Sequence, residues 1–184
     1  SGVNPFKKGI TVFDADEEAK QHLLSHIDLQ NRIIDAFGSL VKRGNRLDLL
    51  KLSEHVFSNK KYQDTLNRII WPEVYALIKS AADKATLDGT DLFVVDAALI
   101  LESGYTDFFN SILLITADKS IRLNRILLRK NIPESQIEKR MALQMPESEK
   151  KKLTQNIIEN NGGVQELYIK LDQFYNKLLS NPHL

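Results

Sequence analysis

The stretch Ile10-Thr-Val-Phe-Asp14-Ala-Asp16-Glu-Glu-Ala-Lys20 decides the fold class. A short apolar run stops at two carboxylates, Asp14 and Asp16, and a helix-like pattern follows. In open α/β sheets ligands bind beyond the carboxyl ends of the strands, so acids at such an end stand where chemistry takes place. These residues alone leave two readings open. One has Asp14 or Asp16 capping the next helix, a role Asp fills well. The other has Asp16 taking a proton from a substrate hydroxyl.

Three further runs, Leu92–Val95, Ile112–Thr116 and Asn156–Ile158, resemble Thr11–Phe13. Each is short, rich in β-branched residues and closed by polar or acidic ones, which predicts buried strands. Helical patterns lie between them, so the fold class is α/β, a parallel sheet with flanking helices. The spacing is uneven. Glu17 to Asp91 holds helical stretches alone: Glu17–His26, Leu29–Phe37, Asp48–Phe57, Lys60–Trp71 and Glu73–Leu87. That is far more than one crossover needs and predicts a helical insertion. Trp71-Pro72 marks a helix break, with Pro72 opening the next helix. Arg43-Gly44-Asn45 is a turn, and Leu87-Asp88-Gly89-Thr90 ends a helix.

A second unusual stretch, Lys119 to Leu153, is dense in charge. Arg122, Arg125 and Arg129 share one helical face, and Lys139, Arg140 and Lys150-Lys151-Lys152 follow. A solvated face paired with Glu134, Glu138, Glu147 and Glu149 is one reading; a movable phosphate-binding lid is the other. Gly163 to Leu179 predicts a last amphipathic helix.

Bulk properties narrow the classes. The 184 residues are 42% hydrophobic and 27% charged, which excludes a disordered chain, and no apolar run reaches membrane-spanning length. A net charge of +1 gives no basic field and argues against nucleic acid as the main partner. With no cysteine there is neither a disulfide nor a thiolate, in keeping with a cytoplasmic location. His22, His26, His55 and His183 form no ligand cluster in sequence, and His22 and His26 read as surface or packing residues.

A second acidic strand end, Phe93-Val94-Val95-Asp96, is followed by Leu101-Glu102-Ser103-Gly104. Asp96 stands near Asp14 and Asp16 if the two strands are neighbours. Carboxylates on adjacent parallel strands, with an arginine-rich segment, suit magnesium and phosphoryl groups. Taken singly, Asp96 and Glu102 read as a turn residue and a surface acid.

In this order the motifs resemble the dephospho-coenzyme A kinase family. The resemblance runs from about Lys7 to the C-terminal helix. It rests on the Asp14-Ala15-Asp16 strand, Phe37-Gly38, Leu47-Asp48, Val56-Phe57-Ser58 and Ile70-Trp71-Pro72. It continues through Val94-Val95-Asp96, Leu101-Glu102-Ser103-Gly104, Arg125 to Arg129, Arg140-Met141-Ala142-Leu143-Gln144-Met145-Pro146 and Ile157-Ile158-Glu159-Asn160-Asn161-Gly162. It implies a P-loop kinase-like fold. The nucleotide core would comprise 1–16, 91–118 and 153–184, the helical substrate domain 17–90 and the lid 119–152. The implied reaction is transfer of the γ-phosphoryl group of ATP, with Mg2+, to the ribose 3′-hydroxyl of dephospho-CoA. Asp16 matches the family's general base, with Asp14 a supporting or capping neighbour. Arg140, with Arg125 and Arg129 as further candidates, would neutralise phosphate charge. Asn160, Asn161 and Gly162 match the loop beside the adenine. Asp96 and Glu102 match the substrate side, and the region around Phe37, Leu47 and Trp71 would hold the rest of dephospho-CoA. Alternatives are a nucleoside monophosphate or other small-molecule kinase, and a non-catalytic nucleotide-binding relative.

Two departures from the family stand out. Trp71 occupies the position where the family usually has His before Pro; an indole stacks and fills but does not accept a hydrogen bond as a neutral imidazole does. The Gly-x-x-x-x-Gly-Lys-Ser/Thr phosphate loop has no match, and the nine residues Ser1 to Gly9 are too few for a strand, that loop and a helix. Val3 to Lys8 reads as the end of the loop's helix, so a further segment is expected between Gly2 and Val3. Intact-mass spectrometry of the natural protein should exceed the 21.0 kDa of the present sequence; a mass at that value sinks the expectation.

Overall fold

Asp14 ends one strand and begins the cap of a helix, and this junction organises the first half of the chain. In the computed structural model, which describes residues 9–129 and 133–180, β1 (Ile10–Asp14) runs into α1 (Ala15–Ser25) with no intervening loop. The Asp14 carboxylate accepts the Glu17 backbone N–H at 2.9 Å, meeting one of the amide donors a helix start leaves without an internal partner. Asp16, Glu17 and Glu18 load the first turn with negative charge, which favours the positive end of the helix dipole.

The elements that follow are α2 (Ile27–Phe37), β2 (Lys42–Arg43), β3 (Arg46–Leu47), α3 (Leu49–Val56), α4 (Lys60–Leu87) and β4 (Leu92–Asp96). Next come β5 (Leu113–Thr116), α5 (Lys119–Arg129), α6 (Glu134–Leu143), α7 (Glu147–Lys150), β6 (Asn156–Glu159) and α8 (Val164–Ser180). The four expected strands are present within a residue or two of their expected ends, and the class is mixed α/β; the burial expected of them is not met, with Val12 and Ile115 44% and 46% exposed. β1 pairs with β4 in parallel, Ile10 opposite Leu92 and Asp14 opposite Asp96. β5 pairs with β6 in parallel, Leu113 opposite Asn156 and Thr116 opposite Glu159. The expected helix end over Val3 to Lys8, the segment expected between Gly2 and Val3, and His183 lie outside the described residues.

The chain divides into two compact units, Gly9–Leu99 and one built on Ile100–Leu184. In the first, Leu29, Ile33, Phe37, Val41, Leu52 and Val56 form an apolar core, with Leu23, Leu47, Tyr62, Leu66, Ile69 and Ile70 packed against it. Leu29, Ile33 and Phe37 recur every four residues on one face of α2. Asp48 caps α3 by accepting the Leu50 and Lys51 N–H groups at 3.0 and 3.3 Å. The turn at Gly44 proves to be a short hairpin joining β2 and β3, and Gly44 takes the positive φ of 62° that its first central position demands.

One expectation is corrected. Trp71-Pro72 does not break a helix: α4 is a single 28-residue helix with Pro72 inside it. Proline removes one backbone hydrogen bond and costs about 3 kcal/mol in a helix interior. Val74 and Ile78, 3% and 1% exposed, are buried beyond the proline, while Leu66, Ile69 and Ile70 pack on the apolar core before it. Burying two such side chains returns about 1.5–3 kcal/mol each, enough to offset the local penalty. The helix ends where expected. Thr90 N–H reaches Ala85 O at 2.9 Å and Gly89 N–H reaches Thr86 O at 3.1 Å, with Gly89 left-handed at φ 73°, a Schellman stop.

Ile33, fully buried at 0% exposure, is the most demanding core position of this unit. Ile33→Ala should lower its stability by about 2–5 kcal/mol, read as a lower denaturant midpoint; an unchanged midpoint contradicts this packing.

Candidate active site

Because β1 and β4 are parallel and in register, their carboxyl-terminal acids emerge at the same edge. Asp14 and Asp96 are cross-strand partners, and Asp16 follows in the first turn of α1. The sequence left the roles of Asp14 and Asp16 open. Asp14 is the cap, which leaves the Asp16 carboxylate outside the capping arrangement. The Asp16 carboxyl is raised above its ordinary 3.8. The protein packed around it is the largest cause; the Ala98 backbone amide opposes the shift, and the negative charges of Asp14 and Asp96 reinforce it. A carboxyl tuned upward by desolvation and like charge moves toward the range where it both accepts and returns a proton. The Ala98 amide was invisible in the sequence, because a backbone donor carries no residue-type signal.

The second unit assembles a different structure at the ends of β5 and β6. The chain leaving β6 is tied back by Asn160 N–H to Thr116 O at 2.7 Å and by the Asn161 side-chain oxygen, which accepts the Asp118 N–H at 2.8 Å. Arg125 reaches across from α5. Its two terminal nitrogens donate to the carbonyls of Asn160 at 2.7 Å and Gly162 at 2.8 Å. A guanidinium fork suits two such acceptors, and no single-point cation holds both in fixed geometry. A Cβ at position 162 would collide with the Glu166 carboxylate, which itself pairs with Lys170. The loop Asn160-Asn161-Gly162 is therefore fixed at four backbone or side-chain points before α8 begins.

Other expected site residues fall as follows. Arg140 is half-buried in the last turn of α6. Arg129 ends α5, and its side chain lies outside the described residues. Glu102, in a short 3₁₀ turn, is not a surface acid: its Oε1 accepts the Met145 N–H at 3.1 Å and pairs with Lys150 at 2.9 Å. Phe37 is 6% exposed and tilts against Tyr62 in the helical core; Leu47 packs on the same core. Trp71 is half-buried on α4. The Met145 and Lys150 contacts of Glu102 were missed in sequence, where Lys150 was one more member of a charge run.

His22 and His26 stack with ring centroids 3.7 Å apart, and His22 faces Glu73 at 3.3 Å, so both pack as expected. Among the described residues no group of three or more His, Asp or Glu side chains could hold a metal ion. Among them, too, no helix is long and apolar enough to cross a membrane.

The sequence model of dephospho-CoA kinase matches residues 5–166. Dephospho-CoA kinase of Fusobacterium nucleatum is 35% identical over 170 residues, covering 91% of this chain and 86% of the relative. That of Geobacillus kaustophilus is 31% identical over 159 residues, covering 86% and 79%. Among solved structures, TT1252 from Thermus thermophilus superposes with a TM-score of 0.71 at 26% identity, over 92% of this chain and 85% of that one. Dephospho-CoA kinase from Campylobacter jejuni shares the fold, with a TM-score of 0.60 at 24% identity over 96% and 88%. The chain belongs to the dephospho-CoA kinase family.

Proposed function

We infer that the chain is a kinase of coenzyme A biosynthesis that transfers the γ-phosphoryl group of ATP to the ribose 3′-hydroxyl of dephospho-CoA. Its family supports the reaction, and the raised carboxyl of Asp16 at the β1/β4 edge is the observation that carries the residue assignment.

Asp16 is the general base. Its carboxylate accepts the 3′-hydroxyl proton as that oxygen bonds to the γ-phosphorus; the bond to the bridging oxygen breaks and ADP leaves. Such transfers are governed by positioning and charge stabilisation more than by basicity alone. Asp14 fixes the helix start that presents Asp16, and Asp96 raises its proton affinity. Asp96 and the helical domain 17–90, with Trp71, serve the acceptor. In that domain Phe37 and Leu47 act by supporting the helices, as their packing in the core indicates.

On the nucleotide side, the loop Asn160-Asn161-Gly162 takes the adenine. The two carbonyl contacts of Arg125 support a role in shaping that loop, in place of the phosphate contact expected from sequence. Arg140 in the lid 119–152 is the phosphate-neutralising arginine, with Arg129 beside it in sequence as a second candidate. The core segments 1–16, 91–118 and 153–184 complete the division. Mg2+ accompanies ATP and neutralises phosphate charge when bound. Such an ion draws most of its shell from phosphate oxygens and water.

A coupled assay with ATP and dephospho-CoA tests the reaction; turnover of adenylate or uridylate but not dephospho-CoA overturns it. Asp16→Asn should lower kcat by about 10²–10⁴. Because the native carboxyl is raised above its ordinary 3.8, the ionised form is disfavoured in the fold. That cost is present above the native pKa and disappears as pH falls through it. Asp16→Asn should therefore melt no lower than the parent at pH 7, and any gain should vanish below about pH 4. The acid limb of kcat/KM should lie above 3.8 in the parent and move down in Asp96→Asn; a limb that does not move contradicts the coupling.

A further inference from the structure

The geometry points to Glu102 as a positioning residue for the lid arginine, Arg140. This rests on the reading of Arg140 given above. Glu102 is 10% exposed in its side chain and Lys150 13%, so the pair is largely withdrawn from water. The Glu102 Oε1 serves two donors at once, the Lys150 ammonium at 2.9 Å and the Met145 backbone N–H at 3.1 Å. Met145 lies in the joint between two helices. Gln144 closes α6, with its N–H on Met141 O at 3.3 Å, and Pro146 opens α7, with its carbonyl accepting Glu149 and Lys150 N–H at 2.9 and 3.0 Å.

One carboxylate oxygen thus grips the joint at its backbone and the first helical turn beyond it. A second tie works from α5, where Arg122 meets Glu147 at 2.9 Å. Arg140 stands in the last turn of α6, between Ile137, 3% exposed, and this anchored joint. A group that stabilises transferring charge acts only in the right place, and a misplacement of about 1 Å can cost a hundredfold. Holding the C-terminal end of α6 therefore sets where Arg140 stands. The second oxygen of Glu102, Oε2, is buried without a hydrogen-bond partner among the described residues. A direct contact with dephospho-CoA through that oxygen is the competing assignment.

The two assignments separate in steady-state kinetics of the full chain. Glu102→Gln keeps an oxygen for Met145 and loses the charge that holds Lys150; Lys150→Met removes the same tie from the less demanding side, should the first variant fold poorly. For either, kcat should fall about tenfold, with KM for both ATP and dephospho-CoA within about twofold of the parent. Amide hydrogen exchange should quicken over residues 134–145 and stay unchanged in α5. A Glu102→Gln/Arg140→Ala double variant should be no slower than Arg140→Ala alone. A raised KM for dephospho-CoA at unchanged kcat overturns the inference in favour of substrate contact. An unchanged kcat, or additive losses in the double variant, overturns it too. Arg140→Ala on its own keeps the two readings apart. If it retains full kcat, the assignment of Arg140 fails, and the positioning role with it. If it is impaired while the Glu102 and Lys150 variants are not, only the present inference fails.

Discussion

Parallel, in-register pairing of β1 with β4 is the constraint from which the acidic edge follows. It sets Asp14 opposite Asp96, and the absence of a loop after β1 puts Asp16 two residues further on. In an antiparallel pair of the same length, Asp96 would lie at the far end of the strand, about 13 Å away. The like charge of Asp96 would then not bear on Asp16, and that of Asp14 alone would remain. Three carboxylates close together are unfavourable at neutral pH. The fold tolerates them because Asp14 is satisfied as a helix cap and Asp16 receives the Ala98 amide. Desolvation first, and the residual repulsion after it, raise the Asp16 carboxyl above its ordinary value.

The second unit solves a different problem, holding a short irregular segment still. Asn and Gly are permissive residues and do not hold a loop still by themselves. Here the stiffness is imported. Thr116 O and Asp118 N–H supply it from the end of β5, and Arg125 supplies it from α5. An arginine in a basic helix is easily taken for an anion site, but its planar fork also spans two carbonyls, as Arg125 does here.

Patterns that depend on residue type and period were legible in the chain. The four strands, the acidic strand ends, the cap at Asp14, the helix start at Asp48 and the stop at Gly89 all follow from local chemistry. Pro72 misled because its penalty is local, while the burial of Val74 and Ile78 that offsets it is tertiary. Phe37 and Leu47 belong to ordered motifs, yet an ordered motif does not distinguish a residue that meets a ligand from one that supports the helices around it. Glu102 escaped for a related reason. Its partners, a backbone amide and one lysine among three in a row, are more than forty positions away in the chain.

The uninterrupted α4 has a mechanical meaning. Its 28 residues make a rod of about 42 Å. Near its first half, Tyr62, Leu66, Ile69 and Ile70 grip the apolar core of α2 and α3; further along, the same rod packs against β1 and β4. A hinge at Pro72 would have let these two regions move independently. A continuous rod instead makes them one lever. A shift of the helices at one end is therefore carried by one and the same helix to the strands that hold Asp14 and Asp96.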